Sequence, residues 1–292
     1  MNQNKYGVRI PSVAGRFYPE SSLTLKAAME TLFRENANKN YNSLSFKKKA
    51  LAFITPHAGL FFSSKCQAAA YLNILKIQKP TTFIVMGPNH TGIGCSSISL
   101  KDFDTPLGII RNNQLISKEI ASCGIVVDEI AHEFEHSIEM QAIFLKYLSV
   151  MNNVELNIVP LIIGSQHDAI MLSEQIKKYL RKDVILIASS DFIHYGPDYN
   201  YVPFGPYKKE IISRYEQKTI NKITEMDSKG FIKCVSEDSL TICGTHPIMC
   251  LLESLKPILK SVESKRLCYY HSADILPSKN SVSYAAIGFF SK

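Results

Sequence analysis

An apolar run from Val184 to Ala188 stops abruptly in Ser189, Ser190 and Asp191, and His194 follows three residues later. Five consecutive apolar residues bounded by polar ones are typical of a strand that is buried on both faces of a sheet. The pattern favours an α/β fold, in which helices cover both faces of a mostly parallel sheet. It also places the chemically useful side chains directly after the strand.

Two earlier segments have the same arrangement. The run 51–54 leads into a turn that contains His57, and the run 83–86 leads into a turn that contains His90. In open α/β sheets, ligands bind beyond the carboxyl ends of the strands, because the connecting loops converge there. A single histidine after a strand is more often a hydrogen-bonded loop residue than a ligand. Three such positions favour a shared site at one rim of the sheet, which would also include Asp191 and His194.

The remaining hydrophobic periodicity predicts helices that alternate with these strands. The predicted helices cover 23–33, about 63–77 with Ser63 or Ser64 as the cap, 114–122, about 136–148, 167–180, 206–226, 229–235 and 249–259, and further strands are predicted at 96–100, 109–110, 156–163 and 281–289. An Asn-rich stretch at 36–45 is predicted to be a surface loop. Because no Pro/Ser-rich linker and no internal repeat interrupts the chain, we expect one domain over residues 1–292, with a central, mostly parallel sheet flanked by helices.

Composition narrows the class of protein. The 292 residues are 46% hydrophobic, which is enough for a sizeable core, and the N-terminus has no apolar stretch of the signal-peptide type. No apolar run approaches the ~20 residues that span a bilayer, so we expect a soluble intracellular protein without membrane insertion. The net charge of +7 is modest, and the run Lys47–Lys49 lacks interleaved aromatic residues, so nucleic-acid binding is not indicated.

Seven cysteines are scattered through the sequence without a C-x-x-C pair. This argues against a disulfide framework and for a reducing compartment, where a single thiolate can be a ligand or a nucleophile. Cys243 precedes a predicted helix, and unpaired N–H groups at a helix N-terminus lower the pKa of a thiol. The alternative is that Cys243 is a buried, inert residue.

The segment from His132 to His136 satisfies the H-E-x-x-H pattern of zinc proteases, with Glu133 as the base and Glu155 as a distant third ligand. Such a site requires both imidazoles on one helical face. However, the apolar stripe of this segment begins only near Met140, which predicts that the helix starts near His136. The motif would then be divided between a loop and a helix start, and the zinc-protease interpretation is disfavoured.

Seven blocks in one order carry a family resemblance: Val13–Pro19, Pro56–Gly59, Gly87–His90, Glu135–Met140, Ser189–His194, Thr241–Ile248 and Ser281–Ala286. In these blocks the sequence resembles the Memo family, whose fold is related to that of the class III extradiol ring-cleaving dioxygenases. The resemblance runs over almost the whole chain.

The resemblance implies a metal site made by His57, His90 and Cys243. It implies iron or copper as the metal; two imidazoles and a thiolate also suit zinc. Asp191 and His194 would be catalytic, the first as an orienting partner of the ligands and the second as a general base. The alternative is that all of these residues have only structural roles.

Two functions follow from the resemblance. One is a metal-dependent oxidoreductase that acts on a small-molecule substrate. The other is a non-catalytic adaptor that binds a phosphotyrosine peptide of a receptor tyrosine kinase, because animal members are linked to cell motility driven by such receptors. Either function implies a cytoplasmic, or additionally a nuclear, location.

The sequence departs from the family pattern at Leu60, where an aromatic residue is common, at Tyr195, where Trp can occur, and at Gln141 and Ile143, where close relatives have His and Pro. These departures leave the implied ligands intact and affect the pocket lining and any peptide specificity.

Overall fold

A computed structural model describes residues 4–37, 48–77, 81–180 and 183–292. The helices are α1 (Ser22–Ala37), α2 (Leu60–Ile77), α3 (Gln114–Ala121), α4 (Glu129–Glu133), α5 (His136–Asn152), α6 (Gln166–Ile176), α7 (Lys209–Thr224), α8 (Ser228–Glu237) and α9 (Thr245–Leu255). The strands are β1 (Val8–Arg9), β2 (Ala50–Thr55), β3 (Thr82–Gly87), β4 (Ser97–Ile98), β5 (Asp102–Phe103), β6 (Arg111–Asn112), β7 (Val126–Val127), β8 (Asn157–Ile162), β9 (Val184–Ser189), β10 (His194–Tyr195), β11 (Val262–His271) and β12 (Ser281–Ser291).

Within these described ranges, one sheet has the strand order β10-β12-β2-β9-β3-β8-β4-β7, with β11 paired to β12 and β6 paired to β8. The four central strands β2, β9, β3 and β8 are parallel to one another. Antiparallel strands extend the sheet at both sides, β12 next to β2 and β4 next to β8. Because the central strands are parallel, β2, β3 and β9 all end at the same edge of the sheet, and the loops after them meet there.

Helices cover both faces of the sheet, and each central strand contributes to both layers. In β9, Ile185 and Ile187 pack in the layer that contains α1, α2 and α5, whereas Leu186 and Ala188 pack in the layer that contains α6, α7, α8 and α9. Every residue of β9 is buried, which explains why the strand reads as an unbroken apolar run. The prediction of an α/β fold with a mostly parallel central sheet flanked by helices is confirmed.

Several predicted boundaries were wrong for local reasons. α2 begins at Leu60, directly after the Pro56–Gly59 turn, so Ser63 lies inside the helix and donates its hydroxyl to the Ala58 carbonyl oxygen (2.7 Å) instead of capping it. α9 begins at Thr245 and not at 249. α1 continues to Ala37, two residues into the predicted 36–45 loop, and the rest of that loop lies outside the described residues, as does Lys47.

None of the helices in the described part of the chain combines the length and the apolarity that a membrane crossing requires.

Candidate metal centre

Side chains that follow two strands and one that precedes α9 meet at one edge of the sheet. His57 follows β2, His90 follows β3, and Cys243 lies two residues before α9. One ligand atom from each of these residues lies within 4.8 Å of the other two. The three residues that the family resemblance implied as ligands are therefore close enough to hold one metal ion.

The imidazole of His57 is fixed by Ser189, the last residue of β9. The Ser189 hydroxyl donates to the Ser137 carbonyl oxygen (2.8 Å), so towards the His57 Nδ1, at 2.9 Å, it can only accept. His57 consequently carries its proton on Nδ1, and the lone pair of its Nε2 points to the Cys243 sulfur at 3.2 Å. Burial, followed by the neighbouring His90 and His136, holds the pKa of His57 well below its usual value, which keeps the ring neutral. A neutral imidazole with a free Nε2 is a metal ligand.

His90 is fixed by a carboxylate. Its Nδ1 lies 2.9 Å from Glu135 Oε1, and its backbone N–H donates to Glu135 Oε2 (2.7 Å). Burial alone would raise the pKa of Glu135, but the hydrogen bond and the charge of His90 outweigh it and lower that pKa to about 2. Glu135 is therefore a carboxylate that accepts the Nδ1 proton of His90. Burial alone would lower the pKa of His90, but the hydrogen bond and the charge of Glu135 outweigh it and raise that pKa, so a metal ion would displace the Nε2 proton of the charged ring. Carboxylate-histidine pairs of this kind orient metal ligands in many proteins.

Cys243 differs from its sequence-based prediction. It precedes the helix N-terminus as expected, but its pKa is raised well above the usual value, first by burial and then by the charge of Asp191. The prediction of a lowered pKa was wrong, because these two effects outweigh the backbone N–H of Asp191, which donates to the sulfur (3.1 Å). In this structure Cys243 is a thiol, and a metal ion would have to displace its proton to form the thiolate ligand.

Asp191 ties the loop that carries His57 to the end of β9. Its Oδ1 accepts the backbone N–H groups of His57 (2.8 Å) and Ala58 (3.3 Å). Burial raises the pKa of Asp191, and the nearby His194 and the two N–H donors oppose that shift. Asp191 thus lies where an orienting partner of His57 would be needed.

His194 faces a cavity next to the three candidate ligands. Its Nδ1 lies 2.9 Å from the Phe192 carbonyl oxygen and 3.0 Å from that of Thr241, so Nδ1 carries the proton and Nε2 is free. The cavity has a volume of about 540 Å³, and Asp191, His194, His136 and Arg16 are among its lining residues. This volume is within the range of small-molecule sites.

Sequence reasoning missed two members of the centre, Glu135 and His136. The His136 ring stacks on His90 with 4.6 Å between centroids, and His90, Glu135 and His136 form a second group with metal-ligand spacing. Because both Glu135 oxygens already accept hydrogen bonds from His90 and Ser137, the carboxylate is better described as an orienting partner. In the sequence, the signal that could have identified these two residues was the family block that contains them.

The H-E-x-x-H pattern is not a zinc-protease site. His132 lies in the short helix α4, whereas His136 is the first residue of α5, so the two imidazoles do not share a helical face. His132 is buried, and within the described residues neither ring nitrogen has a hydrogen-bond partner. The break falls at Phe134 and Glu135, where Glu135 becomes the N-cap of α5.

Gln141, where close relatives have His, lies beneath the centre. Its amide nitrogen donates to Ser189 Oγ (2.8 Å) and to the Pro56 carbonyl oxygen (2.9 Å), and its Oε1 accepts the Tyr71 hydroxyl (2.9 Å). Gln141 therefore holds Ser189, which in turn fixes the His57 ring, and Gln141 does not line the cavity.

The donor set fits a transition metal: two imidazoles that each present Nε2, together with a sulfur ligand. A protein-family model described as "Memo-like protein" matches residues 9–288. A MEMO1 family protein of Pyrococcus abyssi is 34% identical over 96% of this chain and 98% of its own length, and one of Saccharolobus solfataricus is 34% identical over 96% and 99%. The chain belongs to the Memo family.

The fold is also similar to that of a solved structure, an uncharacterized protein of Escherichia coli K12. The TM-score is 0.53, the sequence identity is 13%, and the match covers 82% of this chain and 99% of that protein. At this identity the similarity concerns the fold alone.

Proposed function

We propose that the protein holds one transition-metal ion through His57 Nε2, His90 Nε2 and Cys243 Sγ and uses it as an oxidoreductase centre. The observation that carries this proposal is that the three ligand atoms lie within 4.8 Å of one another, while hydrogen bonds engage both histidine Nδ1 atoms and leave Nε2 of each ring as the atom that can bind a metal. Iron(II) and copper are the proposed metals, with zinc as the redox-inactive alternative. Such an ion, when bound, would supply one-electron or oxygen chemistry.

The residues around the ligands have separate proposed roles. Asp191 holds the His57 loop through two backbone N–H groups and so positions a ligand. His194 offers a free Nε2 to the cavity of about 540 Å³ and is the proposed general base for a small-molecule substrate bound there. The proposed location is the cytoplasm or the nucleus, supported by the absence of disulfides among the described cysteines.

Elemental analysis tests the metal assignment. Tag-free protein purified without oxygen is compared with the variant His57→Ala/Cys243→Ser and with the matched control His167→Ala/Cys95→Ser, which removes one exposed histidine and one exposed cysteine elsewhere. We expect near-stoichiometric iron or copper in the wild type and in the control, and its loss from the site variant. If no protein takes up metal even after reconstitution, the proposal fails.

A second candidate function is a phosphotyrosine-peptide adaptor. It is favoured by Arg16, an exposed cation that lines the same cavity as His136 and His194. An arginine at the mouth of a cavity is the usual partner of a phosphate group. Titration with phosphotyrosine and unphosphorylated peptides at physiological salt, in the wild type and in Arg16→Met, tests this function. Equal binding of both peptides would exclude it.

A further inference from the structure

A larger cleft, with a volume of about 1030 Å³, lies at the other end of the central strands. Glu155 and Leu156, which precede β8, form part of its wall, whereas the candidate metal centre lies beyond the carboxyl ends of β2, β3 and β9. Helix α5 begins at the metal centre with His136 and reaches the cleft in its last turns. Its 17 residues span roughly 25 Å, so the two sites are separate.

The cleft is lined by four cationic side chains, Lys5, Arg111, Lys118 and Lys146, and by two carboxylates, Asp102 and Glu155. Four positive charges less two negative ones leave a formal net charge of +2 on this surface. Asp102 is buried and already engaged, because its Oδ2 accepts from Arg111 (2.8 Å) and its Oδ1 accepts from the backbone N–H of Asn112 (2.9 Å). The uncompensated charge therefore belongs to the lysines.

None of the three lysines has a carboxylate within ion-pair distance among the residues that the structure describes. Two of them lie beside one aromatic ring: the ammonium groups of Lys5 and Lys118 are 5.1 Å and 5.2 Å from the centroid of the Tyr6 ring. The ring attracts cations weakly and does not neutralise them. Both ammonium groups thus remain available to an anion in the cleft.

Lys146 is held in place by its stem. A Cβ atom at Gly108, whose φ is +105°, would lie 3.2 Å from Lys146 Cε, so the lysine packs directly over this glycine. Burial, together with the charge of Arg111, lowers the pKa of Lys146 against the opposing effect of Glu155. An anion bound beside Lys146 and Arg111 would relieve this repulsion.

The end of α5 does not require Lys146 as a cap. The backbone N–H groups of Asn153 and Val154 donate to the carbonyl oxygens of Val150 (3.3 Å) and Ser149 (3.1 Å). These bonds satisfy terminal carbonyl groups that a lysine would otherwise serve. The position of Lys146 in the cleft is therefore not explained by the needs of the helix.

We propose that this cleft binds a small phosphate-bearing molecule, whose anionic groups contact Lys118, Lys146 and Arg111. The concave shape and the volume favour a small molecule over an extended polymer. Guanidinium and ammonium groups together are the usual partners of phosphate oxygens. The proposal is independent of the metal centre, because no residue of that centre lines the cleft.

Calorimetric titration of the full-length protein with inorganic pyrophosphate at about 0.15 M salt tests the proposal. Lys146→Met keeps the aliphatic stem over Gly108 and removes the charge, and Lys118→Met does the same at the second position. The matched control is Lys233→Met, in an exposed lysine of α8. Two further variants, Arg16→Met and His57→Ala/Cys243→Ser, report on the cavity and the centre at the other end of the sheet.

We expect saturable binding to the wild type and a loss of about tenfold or more in affinity for Lys146→Met and Lys118→Met, as expected for one charge-assisted hydrogen bond. The control and the two variants at the other end should bind like the wild type. The proposal is overturned by absence of saturable binding, by an equal loss in Lys233→Met, or by a loss in Arg16→Met or His57→Ala/Cys243→Ser. Tighter binding of a single-stranded oligonucleotide that depends on the same lysines would also overturn it.

Discussion

The sulfur of Cys243 lies 3.2 Å from Nε2 of His57, although 186 positions separate the two residues in the sequence. The contact requires the segment before α9 to lie directly on the end of β9. Gly244 allows this approach: its backbone N–H donates to Ser190 Oγ (3.0 Å), and the space where a side chain would begin is already filled. The geometry of the centre thus depends on a residue that carries no side chain.

Gly244→Ala should displace Cys243 and destabilise the protein. A Cβ atom at this position would lie 2.3 Å from Ser190 Cβ and 2.7 Å from the Ser189 carbonyl oxygen, so the backbone must shift. Overpacking of this kind costs about 1–3 kcal/mol, and thermal unfolding together with metal content measures both effects. The matched control is Gly164→Ala, where the nearest atom is an ordinary contact at 3.7 Å. Equal stability of the two variants would contradict the close-approach argument.

Glu135→Gln should weaken metal binding without removing a ligand. The carboxylate accepts from the backbone N–H of His90 and, through Oε1, from its Nδ1, and an amide would not hold the same tautomer as firmly. Loss of such an orienting partner lowers metal affinity by about 10- to 100-fold. Competition titration with a metal chelator measures the change. The control, Glu133→Gln, alters an exposed neighbour and would also remove the base of the rejected zinc-protease interpretation, so it should have no effect.

The same carboxylate should make stability sensitive to acid. Its pKa is about 2 in the folded protein and about 4.5 in the unfolded chain, so the folded state binds fewer protons between these values. Its stabilising contribution is complete above pH 4.5 and is lost as the pH falls towards 2. Denaturant titrations over this window should show a shallower pH dependence in Glu135→Gln than in the wild type. Parallel curves would contradict the assignment.

Sequence patterns predicted the parts of the structure that depend on neighbouring residues. The runs 51–54, 83–86 and 184–188 became the central strands β2, β3 and β9, because a strand buried on both faces requires continuous apolar residues. Parallel strands end at one edge, so the positions of His57 and His90 after their strands were enough to predict that they lie near each other.

The remaining features of the candidate site depend on contacts between segments that are distant in the sequence. Ser189 fixes the tautomer of His57 only because its hydroxyl also meets the Ser137 carbonyl oxygen, 52 positions away. The pKa of Cys243 was predicted with the wrong sign because the helix N-terminus is visible in the sequence, whereas burial and the charge of Asp191 are not. Glu135 was given no role of its own, because its function as the N-cap of α5 is set by the break between α4 and α5.

Glu139→Gln should destabilise the whole fold, because Glu139 joins two of the family blocks. Its carboxylate pairs with Arg9 and accepts from the backbone N–H groups of Ser12 (2.8 Å) and Val13 (3.1 Å) and from the Tyr18 hydroxyl (2.5 Å). Removing one partner of a buried ion pair costs about 3–5 kcal/mol, because the other charge stays buried.

Chemical denaturation of the wild type and Glu139→Gln measures this loss. The matched control is Glu30→Gln, which breaks a half-exposed pair with Lys26 on α1 and should cost less than about 1 kcal/mol. If the two variants lose similar stability, the Arg9–Glu139 pair does not anchor the N-terminal segment.

A buried network next to the cavity should give stability a second, opposite dependence on pH. Glu216 accepts the backbone N–H of Ile193 (3.1 Å) and the hydroxyl of Tyr269, and His271 Nε2 lies 3.6 Å from its carboxylate. Burial raises the pKa of Glu216 to about 7, whereas burial lowers that of His271 to about 4, so the histidine does not neutralise the carboxylate. Ionisation of Glu216 therefore lowers the stability of the folded protein relative to the unfolded chain.

Between about pH 4.5 and 7 the folded protein binds more protons at Glu216 than the unfolded chain does, so this group makes stability fall as the pH rises through that window. The full change is on the order of 3 kcal/mol.

Histidines with lowered pKa values, such as His136, act in the opposite direction, so the informative quantity is the difference in stability between wild type and Glu216→Gln, measured at each pH. That difference should shift in favour of the variant as the pH rises from 4.5 to 7, whereas Glu210→Gln, an exposed change on the same helix, should follow the wild type. A difference that is constant over the window would show that Glu216 titrates as an ordinary carboxyl group.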